Sequence, residues 1–226
     1  MWNALRAGWS SASIAMLCRD RSRRCVIACS ISGSSKCSAA LMPSSRSCDD
    51  SRVEHKAMAN FEEALVFVLR NEDPHLSGVV TNDSGGRTRF GIAERFHPQL
   101  GDEFYNGSSE SAVERAREIY RSEYWRAIRG DEISDQAIAT KLLDMAVNMG
   151  ARQAIVLCQQ ALNAMEFQLR EDGIYGARTL AAINRANGAL LAVHLRESCA
   201  SFYQHLAAVR PDAEQYLHGW LARAKA

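Results

Sequence analysis

The chain has 226 residues, of which 47% are hydrophobic and 23% charged, and its formal net charge is +1. This is the composition of an ordinary globular protein, and it allows one or two domains with a real core. No stretch is long and apolar enough to predict a transmembrane helix, so we expect no stable membrane insertion.

Residues 1–57 differ from the rest in composition, because they hold five of the seven cysteines and an excess of basic residues. Their apolar runs are short and are separated by arginines, which is poor for a signal peptide. Val26-Ile27-Ala28-Cys29 matches a lipoprotein cleavage box but lacks the long apolar segment that should precede it. The cysteine spacing suits neither a zinc site nor a disulfide module. We expect translation to start at Met58, and residues 1–57 to be a disordered or mis-annotated extension.

The first predicted helix carries a carboxyl group on its apolar side. Asn60 is a good N-cap, and Phe61, Leu65 and Val68 recur at helical spacing. Glu72 continues that side, because eleven steps of about 100° return to within about 20° of Phe61. Partial burial and the negative end of the helix dipole both favour a neutral carboxyl, so we expect a raised pKa for Glu72. A general acid that works near neutral pH requires such a group.

A Gly-rich hairpin follows the helix. Residues 79–81 and 87–92 suit two strands, and the residues between them are dense in turn formers. Asp83 and Thr88 would then flank a tight loop, within reach of whatever Glu72 faces. Two carboxyl groups in different environments, one apolar and one polar, suit glycoside hydrolysis. Taken separately, a Glu at a helix end and an Asp in a turn are more often solvated.

The order of these residues carries a family resemblance. Glu72, then Asp83 in a turn that ends in Gly-Gly, then the G-x-T-x-x-G-I run around Thr88 resembles the N-acetylmuramidases of glycoside hydrolase family 108. This lysozyme-like group was first described as secretion activator proteins, and the order is also similar to that of phage-type lysozymes. The resemblance implies that Glu72 is the proton donor and that Asp83 and Thr88 help to position or activate water. Asp73 and Pro74 depart from it, since Gly-Gly usually follows the glutamate.

The helix predicted next begins at the capping box Ser111-x-x-Glu114 and ends in a Tyr-Trp pair. An aromatic stripe at helical spacing is more often part of the core, although aromatic faces also stack on sugar rings. The Tyr-Trp ending recurs in the same muramidase family, where it borders the substrate groove. The resemblance therefore implies that Tyr124 and Trp125 bind substrate.

Residues 134–149 predict a buried helix that Gly150 ends. Asp144 and Asn148 lie one turn apart near its end, and the simpler interpretation is that both bond to nearby backbone. Residues 143–150 are, however, similar to a hallmark of the family. The resemblance implies that Asn148 points toward the cleft and binds substrate.

The C-terminal part contains a Gly-punctuated loop, Asp172-Gly173-Ile174-Tyr175-Gly176-Ala177-Arg178-Thr179, that leads into a helix. By itself this is a helix connector, but it resembles the D-G-x-x-G-x-x-T signature of peptidoglycan-binding domains, where the turn fixes two helices against each other.

Histidines and cysteines form no metal-binding motif, and no phosphate-binding or serine-hydrolase motif appears. We expect no metal, no cofactor and no nucleic-acid partner.

Together these features predict a mainly α protein with a lysozyme-like helical fold and a small β-hairpin next to Glu72. Residues 58–130 would form the catalytic lobe, and residues 131–226 a helical lobe of peptidoglycan-binding type. The resemblance implies a lysozyme (N-acetylmuramidase) of endolysin type that cleaves the β-1,4 bond between N-acetylmuramic acid and N-acetylglucosamine in bacterial peptidoglycan. We expect the protein to be a monomer. The alternatives are a lytic transglycosylase acting on the same bond and a non-catalytic protein that binds peptidoglycan or assists export.

The place of action follows from the substrate. We expect the protein to act in the bacterial cell envelope (periplasm) or outside the cell, although it has no convincing signal peptide. The export route stays open; phage and prophage lysins with this resemblance are released through a separate membrane pore.

Overall fold

The computed structural model describes residues 57–73, 75–83 and 86–226, so the expectations for residues 1–56 lie outside the described residues. The described part is mainly helical with a small antiparallel sheet, which confirms the predicted fold class. The α-helices are α1 (Phe61–Glu72), α2 (Gly101–Asn106), α3 (Ser109–Ile119), α4 (Gln136–Met149), α5 (Ala151–Ala164), α6 (Ala177–Arg185), α7 (Gly188–Val209) and α8 (Leu217–Lys225). The strands are β1 (Thr81–Asp83), β2 (Gly86–Arg89) and β3 (Ile92–Ala93).

Helix α1 begins and ends close to where the sequence predicts. The Asn60 side chain caps it by accepting a hydrogen bond from the amide of Glu62 at 2.8 Å. The helix ends at Glu72 because Asp73 precedes a proline, a position that disfavours helical backbone, and its own backbone is extended. The Asp73 carboxylate then accepts the amide of Gly78 at 2.7 Å and the hydroxyl of Ser77 at 3.1 Å. Asp73 therefore organises the turn after α1 where the resembling family has glycine.

The sheet differs from the predicted hairpin in its strand lengths and in having a third strand. Strand β1 pairs with β2 in antiparallel register, with Thr81 opposite Thr88, and β2 pairs with β3, with Thr88 opposite Ala93. Phe90 and Gly91 both have positive φ, +49° and +76°, so the chain reverses there. The predicted strand 87–92 is wrong in this respect, because its last residues fold back as β3.

A buried arginine fixes the sheet to the helices that follow it. Arg89 donates from Nε to the carbonyl of Gly78 at 2.8 Å and from Nη1 to the carbonyls of Phe104 at 2.7 Å and Gly107 at 3.0 Å. Its Nη2 donates to the hydroxyl of Ser109 at 3.0 Å. All three guanidinium nitrogens are thus used to hold the turn after α1 and the α2–α3 connection together.

Helix α3 begins earlier than predicted. Ser108 is its N-cap and accepts from the amide of Ser111 at 3.3 Å, so the predicted capping box at Ser111 is wrong. The helix then widens into a π-helical turn, Tyr120–Trp125, in which the Arg126 amide bonds to the carbonyl of Arg121 at 3.1 Å. Single π-helical turns often occur at functional sites.

The core is centred on α4, which packs against α1, α5 and α7.

The loop before α6 fixes that helix against α5, as its resemblance to peptidoglycan-binding domains implies. Gln159 of α5 donates to Asp172 at 3.1 Å and accepts from the amide of Gly173 at 3.0 Å. Gly173 has φ +70°, and a Cβ there would lie 2.7 Å from a side-chain carbon of Arg152. The loop can approach α5 this closely because the residue is glycine.

The described residues belong to one compact unit. The boundary between two lobes at residue 130 stays a prediction. Among the helices of the described part, none has the length and apolar character needed to cross a membrane.

Candidate active site

Glu72 lies at the C-terminal end of α1, and the turn between β2 and β3 closes over it. Its side chain is 8% exposed. A Cβ built on Gly91 would lie 2.8 Å from Cγ of Glu72 and 2.7 Å from the hydroxyl of Tyr120. Real Cβ atoms do not approach so closely, so the site requires glycine at this position. The glycine before Ile92 in the G-x-T-x-x-G-I run therefore has a structural role: it lets the backbone pass against the Glu72 side chain.

A buried ion-pair network joins Glu72 to the last helix of the protein. Nη1 of Arg223, on α8, lies 2.7 Å from Oε1 of Glu72, and its Nε lies 2.9 Å from Oδ1 of Asp144 on α4. Asn71 donates to the same Asp144 oxygen at 3.0 Å. Nη2 of Arg223 is buried without an acceptor among the described residues. Three helices thus meet at one guanidinium group.

This network keeps the guanidinium group of Arg223 charged. Burial opposes the charge of Arg223, but the carboxylates of Asp144 and Glu72 outweigh it, so the pKa of Arg223 is raised above its ordinary value. A guanidinium that stays charged favours the ionised form of a carboxyl group beside it. A general acid must be neutral before it can donate a proton. Arg223 thus acts against the neutral Glu72 that the sequence predicts, and the raised pKa expected for Glu72 stays a prediction.

A small pocket lies at the turn between β2 and β3. It is lined by residues of the β2–β3 turn and β3, by His97, and by two tyrosines of the π-helical turn, Tyr120 and Tyr124. Gly91 takes part in its lining as well as touching Glu72. The Tyr120 hydroxyl donates to the carbonyl of Phe90 at 2.9 Å, which ties the π-helical turn to the sheet. Gly91 therefore lies between the pocket and the aliphatic part of the Glu72 side chain.

Asp83 and Thr88 lie in the sheet whose turn covers Glu72. Asp83 is the last residue of β1 and is paired with Gly86. Thr88 is in the middle strand, and its hydroxyl oxygen is buried with no hydrogen-bond partner in the part of the chain that is described. A buried hydroxyl without a partner can bond to a ligand or a water. The catalytic roles expected for both residues stay predictions.

The structure separates the two members of the Tyr-Trp pair. Trp125 is 0% exposed, donates from its ring nitrogen to Asp131 at 2.8 Å and packs on Phe61 with ring centroids 5.5 Å apart. This places Trp125 in the core, the more common position for an aromatic residue at helical spacing, and leaves no ring surface to stack on a sugar. Tyr124 is 6% exposed and lines the pocket.

Asn148 points neither to backbone nor to the pocket. It is 6% exposed, and its amide donates to the hydroxyl of Tyr203 on α7. The Asn148 amide thus makes a tertiary hydrogen bond inside the core, and the substrate-binding role expected for Asn148 stays a prediction. Asp144, one turn earlier, likewise bonds to side chains of other helices.

Sequence reasoning missed Arg223 and Tyr120 as members of the site. Arg223 is 151 residues from Glu72 along the chain, and nothing in its local pattern distinguishes it from a solvated arginine in a last helical turn. Tyr120 belongs to the predicted aromatic stripe, but only the π-helical turn brings its hydroxyl to Phe90. No group of three or more metal-ligating side chains occurs within the described ranges.

Two parts of the chain match models of known protein families. Residues 75–150 match the family model described as glycosyl hydrolase 108, and residues 153–225 match the model described as a predicted peptidoglycan domain. Glu72 lies just before the first matched range, and Arg223 lies inside the second. A comparison with curated proteins found no match.

Among solved structures, the chain is similar to SagA of Brucella abortus. The two are 20% identical, the match covers 74% of this chain and 96% of that chain, and the TM-score is 0.51. At this identity the likeness shows the fold alone. The two family matches support a glycoside hydrolase role connected with peptidoglycan. The chain therefore resembles the glycosyl hydrolase 108 family over residues 75–150 and a predicted peptidoglycan domain over residues 153–225.

Proposed function

We propose that the protein is an N-acetylmuramidase that hydrolyses the β-1,4 bond between N-acetylmuramic acid and N-acetylglucosamine, with Glu72 as the general acid. The observation that carries this proposal is the position of Glu72. Its side chain is 8% exposed and lies against Gly91, which also lines a pocket together with Tyr120 and Tyr124. A mostly buried carboxyl group beside an aromatic pocket suits proton donation to a glycosidic oxygen.

In the proposed reaction, the Glu72 carboxyl group gives its proton to the glycosidic oxygen while the bond from that oxygen to the anomeric carbon breaks. The positive charge that develops on the sugar is oxocarbenium-like. A water molecule then adds to the anomeric carbon and loses a proton. Asp83, assisted by the hydroxyl of Thr88, would orient this water and accept that proton. A carboxyl separation of about 5 Å would predict retention of configuration, and more than about 6.5 Å would predict inversion.

Tyr124 is the substrate-binding residue that we retain from the sequence prediction, because it lines the pocket. Trp125 and Asn148 support the site from the core instead. We expect the protein to act as a monomer in the cell envelope or outside the cell. Light scattering after size-exclusion chromatography would check the oligomeric state.

The test uses purified bacterial cell walls. Glu72→Gln keeps the size and hydrogen-bonding capacity of the side chain but removes its acidic proton. We expect the wild-type protein to reduce the turbidity of a wall suspension and the variant not to do so, while both sediment with the walls. If both proteins bind walls and neither clears them, the protein is a non-catalytic binder and the proposed activity is wrong.

Product analysis separates hydrolysis from the transglycosylase alternative. A lytic transglycosylase needs only one acidic residue and ends its products in an anhydro sugar. Hydrolysis predicts reducing ends and a strong loss of activity in Asp83→Asn. Anhydro ends together with an active Asp83→Asn variant would favour the transglycosylase.

A further inference from the structure

The contact between Arg223 and Glu72 joins the end of the first helix to the C-terminal matched region of the chain. Glu72 ends the first helix, whereas Arg223 lies on α8, within the range that matches the predicted peptidoglycan domain. Nη1 of Arg223 and Oε1 of Glu72 are 2.7 Å apart, with side-chain exposures of 14% and 8%. An ion pair this far from solvent is only weakly screened by salt or water.

The backbone of Arg223 is held as firmly as its guanidinium group. Lys141, a buried residue of α4, donates from Nζ to the carbonyl of Arg223 at 2.9 Å and to that of Ala224 at 3.0 Å. Trp220, one turn earlier on α8, is 3% exposed and stacks on Tyr203 with ring centroids 5.3 Å apart. The end of α8 therefore cannot swing away without losing these contacts.

The ion pair between Arg223 and Glu72 is surrounded by several charged or titratable groups. Asp144 is the second carboxylate that the guanidinium touches, and Lys141 approaches the other oxygen of Asp144 at 4.0 Å. Burial lowers the pKa of Lys141. Burial also raises the pKa of Tyr203 well above its ordinary value, so its hydroxyl stays neutral. On the side of the sheet, the structure presents Gly91 and the Tyr120 hydroxyl, which is bonded to backbone.

We propose that Arg223 is a positioning residue that holds the Glu72 carboxyl group in one orientation and favours its charged form until substrate binds. The C-terminal region then contributes to the chemistry as well as to wall binding. Arg223 would thereby set the pH range over which Glu72 can act as an acid. This effect on pH range rests on the proposed function of Glu72 as the general acid. A proton donor held in this way depends on substrate to weaken the pair, for example by placing an oxygen atom near the unpartnered Nη2 of Arg223.

The experiment compares three substitutions on α8. Arg223→Met removes the charge and keeps most of the side-chain length, Arg223→Lys keeps the charge without the planar guanidinium, and Lys225→Met removes a charge from an exposed position of the same helix. The pKa of Glu72 is measured by carbon NMR with labelled glutamate, assigned by comparison with Glu72→Gln. The pH profile of wall clearing is recorded for the same proteins.

We expect Arg223→Met to raise the pKa of Glu72 by about 1–3 units, because an opposite charge at contact distance lowers a carboxyl pKa by that amount. The alkaline limb of the clearing profile should move to higher pH by a similar amount, since Glu72 then keeps its proton longer. Arg223→Lys should give a smaller shift, and Lys225→Met none. A purely structural role for Arg223 would reduce clearing at every pH without moving the limb.

The proposal is overturned if Glu72 titrates identically in the wild type and in folded Arg223→Met. Should Arg223→Met not fold, Arg223→Gln takes its place, because it also removes the charge, and an unchanged Glu72 titration in that variant overturns the proposal equally. The two proposals fail separately. If the titration shifts as expected but Glu72→Gln still clears walls, the role of Arg223 stands and the general-acid assignment is wrong. If Glu72→Gln is inactive and the titration does not shift, the general-acid assignment stands and the proposed role of Arg223 is wrong.

Discussion

Gly91→Ala tests whether the β2–β3 turn really closes over Glu72. Gly91 has φ +76°, and its added methyl group would lie 2.8 Å from Cγ of Glu72 and 2.7 Å from the hydroxyl of Tyr120. Neither neighbour can move freely. Tyr120 is 2% exposed and its hydroxyl is bonded to the carbonyl of Phe90, and the Glu72 carboxyl group is paired with Arg223 at 2.7 Å. The substitution must therefore shift the turn or the Glu72 side chain.

The cost has two parts. Holding a non-glycine residue at an unfavourable positive φ costs about 1–3 kcal/mol. Forcing a methyl group into a well-packed site costs about 1–3 kcal/mol more. Gly101→Ala is the matched control, since Gly101 also has positive φ, +58°, but nothing lies within 4 Å of the added carbon. We expect Gly91→Ala to lower the free energy of unfolding by about 1–3 kcal/mol more than Gly101→Ala, because only the first carries the packing cost.

The assays are urea unfolding followed by circular dichroism, and the rate of wall clearing. A catalytic group moved by about 1 Å can cost about a hundredfold in rate. We therefore expect Gly91→Ala to clear walls about a hundredfold more slowly under conditions in which it is folded, and Gly101→Ala to keep most of the wild-type rate. Equal stability of the two variants, together with wild-type clearing by Gly91→Ala, would refute the placement of this turn against Glu72.

Three further predictions concern the supporting structure. Arg89→Met should lower the free energy of unfolding by about 3 kcal/mol or more, because buried carbonyl groups lose their donor; urea unfolding measures this, and a loss below about 1 kcal/mol would contradict it. Asn148→Ala should destabilise the protein by about 1–3 kcal/mol through its bond to Tyr203, without raising the KM for soluble peptidoglycan fragments; a raised KM in folded protein would restore its predicted substrate role. Burial raises the pKa of the Cys158 and Cys199 thiols to about 12. Both should resist alkylation in native protein at mildly alkaline pH and react after unfolding. Their contribution to stability should be complete below about pH 9, the ordinary thiol pKa, and be lost as pH rises toward 12; rapid native alkylation would contradict this.

Features that depend on neighbouring residues were predictable from the sequence. The Asn60 cap, the apolar side of α1 and the position of Glu72 at its end follow from helical periodicity and capping chemistry. The helix-joining role of the Asp172–Thr179 loop followed from its resemblance to a known signature. Each of these signals is contained in a short segment.

Features that depend on distant contacts were not predictable in the same way. Phe90 adopts a positive φ that its residue type does not favour, so the break between β2 and β3 has no local signal. Ser108 rather than Ser111 caps α3, although both are serines that suit the position. Arg223 and Asn148 find their partners on helices far along the chain, so their roles emerge only when the fold brings those helices together.

The most direct measurement of the central claim is mass spectrometry of the fragments released from purified peptidoglycan in water enriched in heavy oxygen. The account predicts that wild-type protein releases fragments with a heavy oxygen atom at a reducing N-acetylmuramic acid end, and that Glu72→Gln releases none. Labelled fragments from Glu72→Gln, or anhydro ends without label from the wild type, would contradict it.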